Sequence, residues 1–168
     1  INAASACAFT INGNVEIKQN GTFDDGGQTH NFKGRYWTGA GAYTGAGTIN
    51  FNGGTQYLYA AKFNNLTLSN TDASTINYKY LRGNVDVTGN VTVDCYYFDL
   101  DTLLIKNSNA SPTGTFTLSN AAPSGTRIYI GGANNFPDNF STYTADAESY
   151  TFYDGANDQT IRSNVQFG

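Results

Sequence analysis

The chain has no methionine, one histidine, one tryptophan, two cysteines and three prolines, and only 13% of its residues are charged. Each scarcity removes something. A single histidine and two cysteines far apart in sequence supply no closely spaced ligand set for zinc. Nine Lys and Arg against thirteen Asp and Glu, a net charge of -4, give no basic stripe for a phosphate backbone, so no nucleic-acid partner is expected. No run approaches the roughly eighteen consecutive apolar residues of a membrane span, and no basic segment leads into an apolar one at the N-terminus. The expectation is therefore no membrane span and no intact signal peptide in this piece. Ile1 stands where an initiator methionine would, and the sequence closes on the strand-like NVQF, which suggests a fragment of a longer repeat protein.

What the chain does have is Asn and Thr, 21 of each, with 19 Gly, 12 Tyr and 11 Phe. Thr, Tyr, Phe, Val and Ile favour strands, while Gly, Asn and Asp supply turns. Leu, Glu, Lys and Ala fall in no helical stripe, so the domain reads as all-β.

The most regular stretch is 62–108, where NNLTLSN, STINY, GNVDVTG, NVTVDC and DTLLIKN follow one another as short alternating runs. Leu66/Leu68, Val85/Val87 and Leu103/Ile105 recur eighteen to nineteen residues apart. Such a recurrence fits a parallel β-helix (β-solenoid) of short strands with Asn/Gly corners, in which like residues stack over like. Leu66, Val85 and Leu103 would then be successive rungs, and Asn70, Gly89 and Asn107 would mark one corner. A β-sandwich or jelly roll is the alternative, since it too needs many short strands and polar turns.

Taken as one module, 1–168 divides into 1–47, a cap or a set of irregular first rungs, and 48–168, regular rungs. Within the first part TGAGAYTGAG reads as a loop of tight turns, or as chain passing close to a neighbour. Val91, Val93 and Cys95 alternate with Thr92, Asp94 and Tyr96, and the aspartate turns the second set to solvent. GTFTLSN repeats the earlier LTLSN. A longer repeat aligns INFNGGTQYLYAAKFNNL with TFYDGANDQTIRSNVQFG and pairs Gly53 with Gly155 and Gln56 with Gln159.

The phrases FNGGTQYLYAAKFNNLTLSN, GNVDVTGNVTVD and TFYDGANDQTI resemble the repetitive β-solenoid regions of large cell-surface adhesins and autotransporter-like proteins, especially those of Bacteroidetes. Phe51, Gly53, Gln56, Leu58, Phe63, Asn65, Leu66 and Leu68 match one phrase of that family, and Asn84, Val85, Val87 and Gly89 match a second in part. The resemblance covers about 48–130 and 150–168. It implies a secreted or cell-surface location, neighbouring repeats of the same polypeptide as partners, and a structural or adhesive role with no catalytic residues and no cofactor.

Several residues carry chemistry of their own. Tyr57, Tyr59, Tyr78, Tyr80, Tyr96 and Tyr97, with Trp37, combine a flat apolar face with a polar edge and are candidates for binding surface or extracellular glycans. Asp24 and Asp25 beside Gly26 and Gly27 are weak calcium candidates, without the spaced oxygen run of a calcium loop. Cys7 and Cys95 could join in an oxidising compartment, against the reading of Cys95 as a small buried hydrophobe. A polysaccharide lyase or glycoside hydrolase would need converging carboxylates, and Asp86, Asp94, Asp99 and Asp101 are the nearest dense group. The Thr alternation in GTFTLSN and NVTVD could suggest ice binding, but Tyr, Asn and Asp interrupt it and no Thr-x-Thr recurs in every rung.

Overall fold

The computed structural model describes residues 7–70, 75–119, 125–133 and 135–161. Its strands wind in successive coils of three. The first coil comprises β1 (Thr10–Ile11), β2 (Val15–Ile17) and β3 (Thr22–Asp24), the second β4 (Thr29–Phe32), β5 (Tyr36–Gly39) and β6 (Ala42–Thr44). The third holds β7 (Thr48–Phe51), β8 (Gln56–Leu58) and β9 (Ala61–Phe63), and the fourth β10 (Asn65–Ser69), β11 (Tyr78–Leu81) and β12 (Val85–Val87). The fifth holds β13 (Val91–Asp94), β14 (Tyr97–Asp99) and β15 (Ile105–Asn107). After β16 (Thr115–Leu118) and β17 (Arg127–Ile130) a loop takes the third side of the sixth coil, touching the fifth through the Lys106–Asp138 bridge; β18 (Thr142–Ala145) and β19 (Tyr150–Tyr153) begin the seventh.

Every strand pairing is parallel and joins one coil to the next. A first face runs β1-β4-β7-β10-β13-β16-β18, a second β2-β5-β8-β11-β14-β17-β19, and a third β9-β12-β15, with β3-β6 as a separate pair. The chain is a parallel β-solenoid, and the antiparallel pairing of a sandwich does not occur among the described residues.

The rung length expected from the sequence is corrected by the register. Leu66 lies beside Ile49 and Val91, on the first face, whereas Val85 lies beside Ala61 and Ile105, on the third. The recurrence near nineteen residues thus compared strands on different faces. True first-face partners such as Thr29–Thr48, Thr48–Asn65, Leu66–Val91 and Val91–Phe116 are separated by 19, 17, 25 and 25 residues. Corners absorb this variation because they lie outside the ladders. Asn70 does not share a corner with Gly89 and Asn107: it follows β10 on the first face, whereas Gly89 and Asn107 lie at the corner that leaves the third face, after β12 and at the end of β15, where Asn107 donates to the Gly89 carbonyl at 3.2 Å. LTLSN and GTFTLSN do share a face, two coils apart.

Alternation inside each short strand puts one set of side chains into a common core. Two first-face columns are His30–Ile49–Leu66–Val91–Phe116 and Phe32–Phe51–Leu68–Val93–Leu118, all buried. No single coil could bury these residues alone, so stability is shared between neighbours. Each fully buried Leu, Val or Phe contributes about 1.5–3 kcal/mol.

Residues 38–47 are not simply a loop: β5 ends and β6 runs within them. Their glycines serve close approach. A Cβ on Gly41 would stand 2.3 Å from the Ile17 side chain, and one on Gly47 2.1 Å from the Gln28 carbonyl oxygen.

Candidate functional site

Tyrosines of the second face point outward because their neighbours Gln56, Leu58, Lys79, Leu81, Phe98, Ile128 and Ile130 are buried. Strand stacking therefore lays the rings over one another. Tyr36 and Tyr57 stand 5.4 Å apart at 24°, and Tyr57 and Tyr80 5.2 Å apart at 15°. The backbone register next places Asp99 beside Tyr80 and beside Tyr129. The aromatic path goes around it through Tyr97, 5.8 Å from Tyr80 and 4.3 Å from Tyr129, and ends on Phe152, 4.8 Å from Tyr129 at 10°. Tyr78 flanks the path, 5.3 Å from Tyr97, and Tyr150 flanks it at 6.3 Å from Phe152.

Three arginines lean on this strip. Arg35 sits 5.3 Å from the ring centres of both Tyr36 and Tyr57, and Arg82 lies 5.5 Å from Tyr57 and 5.1 Å from Tyr80. Arg127 covers Tyr96 at 4.3 Å and donates to its hydroxyl. Each contact is a cation–π pair worth about 0.5–1 kcal/mol at an exposed site. Loss of water around the strip raises the Tyr97 phenol to about 12, and the same desolvation raises Asp99 above the ordinary carboxylate value.

Stacking decides how the strip can meet a ligand. Rings in near-parallel offset stacks cover one another's faces and turn edges and hydroxyls outward. Open ring surface is greatest at Tyr59 and Tyr78, each 37% exposed, and at the Phe152–Tyr150 end, 39% and 47% exposed. Beside Tyr59 a recess of about 500 Å³ is lined by Asn14, Glu16, Tyr36 and Thr38.

Of the glycan candidates, Tyr57, Tyr59, Tyr78, Tyr80 and Tyr97 gather on this face. Tyr96 lies just outside it, under Arg127. Trp37 does not belong: it is fully buried, 5.2–5.7 Å from Phe23, Phe32, Phe51 and Phe63. A one-residue shift of parity separates it from Tyr36, which takes the outward position. Tyr36 and Tyr129 were missed in the sequence, although the flanking isoleucines of RIYI signal that Tyr129 faces out.

The aspartates also sort themselves. Asp25 is fully buried, and its carboxylate accepts from the Gly27 amide at 2.7 Å, the Tyr43 hydroxyl at 2.6 Å and the Gly47 amide at 2.8 Å. Those bonds occupy the oxygens that a calcium ion would need, while Asp24 accepts from the Gly26 amide. His30 is buried beside them; the Phe9 amide donates to its Nδ1 and its Nε2 faces the Asp25 carbonyl oxygen at 2.8 Å. Among the described residues no group of three His, Cys, Asp or Glu could hold a metal. Asp86 faces out from the third face, Asp94 from the first and Asp99 from the second, so the acidic group of the sequence is spread around the circumference.

Cys7 and Cys95 are not joined. Both thiols are free, Cys7 exposed and Cys95 fully buried. Burial pushes the Cys95 thiol up to about 12.

Polar side chains at the corners act between coils. The Gln56 amide donates to the Phe32 and Gly34 carbonyls of the coil below at 2.9 and 2.8 Å and accepts from the Gly53 amide of its own coil at 3.0 Å. Gln159 repeats the arrangement with Ile130, Gly132 and Gly155 at 2.7, 2.8 and 3.0 Å. Asn135 does the same with Asp101, Leu103 and Gly132, each at 2.8 Å. The pairing of Gln56 with Gln159 read from the long repeat is thus a pairing of equivalent clamps.

No known family, curated protein or solved structure matches the chain. The fold and its surfaces carry the functional argument. No helix among the described residues is long and apolar enough to cross a membrane.

Proposed function

We propose that this chain is a non-catalytic structural or adhesive module of a secreted bacterial surface protein. The observation that carries this reading is the use of its buried and half-buried polar side chains. Gln56, Asn135 and Gln159 bond to backbone groups of two coils, and Lys79 donates to Gly53, Gly54 and Gln56. Groups with the polarity to do chemistry instead tie the rod together. Antibody labelling of intact source cells tests the location, with labelling only after lysis counting against it. Incubation with a panel of plant, algal and microbial polysaccharides tests the rest: no new reducing or unsaturated ends are expected, and their release would make the module an enzyme.

A second reading, a carbohydrate-binding module, is favoured by the continuous aromatic strip from Tyr36 to Phe152. Sugars would meet ring edges, hydroxyls and the more open rings of Tyr59 and Phe152. A glycan array of the intact module checks it, with hits expected to weaken at least tenfold on Tyr59→Ala or Phe152→Ala. An array without hits would leave the strip a structural ladder.

A further inference from the structure

The outward side of the first face is unlike the second. Register sets Thr67, Thr92 and Thr117 in one column and extends it to Thr144; Thr115 and Thr142 stand paired in the column beside it. In the earlier coils the same two columns hold Thr29, Thr48, Asn31 and Asn50, and between Thr48 and Thr115 the second column passes through Asn65 and Asn90. The sequence hides this array because steps between coils vary; threonines scattered along the chain stack into two columns, which they share with asparagines.

We propose that this face binds ice. Parallel strands repeat every ~4.8 Å along the rod, and alternate residues on one strand stand ~6.6 Å apart. A near-rectangular lattice of these dimensions resembles the oxygen repeats that ice presents at its surface. Threonine suits such a lattice because its branched side chain is stiff about χ1 and presents a methyl and a hydroxyl together. The hydroxyl can anchor a water while the methyl shapes the space for its neighbours. Side chains also brace one another: Thr144 donates to Thr117 at 2.9 Å, Asn50 to Asn31 at 3.2 Å, and Ser69 to Asn50 at 2.8 Å.

Charge and area choose this occupant over others. The two columns themselves hold no charged side chain among the described residues, and the charges that flank them, Lys33, Asp94 next to Ser69, and Asp146 after Ala145, are of mixed sign, so the face suits an uncharged partner better than a polyelectrolyte. Its ~29 Å by ~10 Å extent, about 300 Å², is well below the ~800 Å² per partner of a stable protein interface. A crystal of water needs no such area from one molecule, since regular repeats act together. This inference goes beyond the structural and adhesive reading and does not depend on the tyrosine strip.

The experiment grows ice slowly from a dilute solution of the intact module and measures the fraction of protein taken into it. The wild type is expected to enter the ice and to inhibit recrystallisation. Thr92→Tyr keeps a strand-favouring residue but breaks the flatness, and should lower uptake at least tenfold with an unchanged melting curve; Thr67→Tyr, one coil away, serves if that variant misfolds. Lys62→Ser on the third face, where Lys62 is exposed beside Asp86, should leave uptake unchanged. Exclusion of the wild type from ice overturns the proposal, as does full uptake of the folded threonine variants. Capture by crystalline cellulose or chitin, with exclusion from ice, would overturn it in favour of a polysaccharide.

Discussion

The Lys79 ammonium lies 2.5 Å from the Oε1 of Gln56, its register partner in the coil below. Both side chains are fully buried. Lys79 also donates to the Gly53 and Gly54 carbonyls at 2.8 and 3.1 Å, so all three of its protons are used. A charge has been placed in the interior of a rod that is otherwise sparing of charge, and it ties the third coil to the fourth.

That placement gives a pH dependence. Burial lowers Lys79 from 10.5 to about 8. Between those values the unfolded chain holds a proton that the folded chain has released, so stability rises with pH across the window. The effect is at most about 3 kcal/mol, and the three acceptors reduce it. Cys95 runs the other way: its buried thiol is raised from 9.0 to about 12, so its contribution is lost as pH climbs past 9. Denaturant unfolding from pH 7 to 10 of the wild-type Lys79 protein and Lys79→Met, both carrying Cys95→Ala because the two groups perturb each other, isolates the lysine. The protein with Lys79 should gain on the Lys79→Met variant as pH rises, and a constant difference would contradict the account.

Gln56 and Gln159 make the same three backbone bonds, but only Gln56 also receives a lysine. Gln56→Leu strands two carbonyls, an amide and part of a buried ammonium, and should cost about 3–5 kcal/mol. Gln159→Leu, in a half-buried corner, should cost roughly 1–2 kcal/mol. Thermal melts of the two variants give the order, and equal losses would show that the lysine adds nothing.

Tyr97 and Tyr129 form the tightest ring contact of the strip, 4.3 Å between centres. A double-mutant cycle to alanine should return a coupling of about 0.5–1.5 kcal/mol. Coupling near zero would mean that the stack is tolerated by the sheet and does not stabilise it.

The thiols offer a direct check of the missing disulfide. In the native protein a thiol reagent should label Cys7 at once and Cys95 only on unfolding, and a reductant should leave the melting curve unchanged. Two protected thiols released together by reductant would restore the bridge.

Much of this architecture was legible in the chain. Alternation over three to five residues set the faces of β10, β12 and β13, so the inward Leu66, Leu68, Val85, Val87, Val91 and Val93 follow from pattern alone. The equivalence of Gln56 and Gln159 was visible because the glycine before each glutamine turns the same corner. Trp37 was misread as a surface residue for want of parity in NFKGRYW, where polar and aromatic residues do not alternate cleanly. From sequence Asp25 reads only as a weak calcium candidate, since nothing local announces that Tyr43 and Gly47 will arrive from the next coil to satisfy it.

Composition and alternation determined that the chain would be all-β and short-stranded, with apolar residues inside and asparagine and glycine at the bends. Those are local consequences of side-chain shape and of backbone freedom. Which strand lies beside which was decided only by the tertiary structure, because corner lengths are free to vary while stacked strands must keep their hydrogen-bond register. That register turned Leu66 toward Val91 and away from Val85. It also gathered the tyrosines into one strip and the threonines into another.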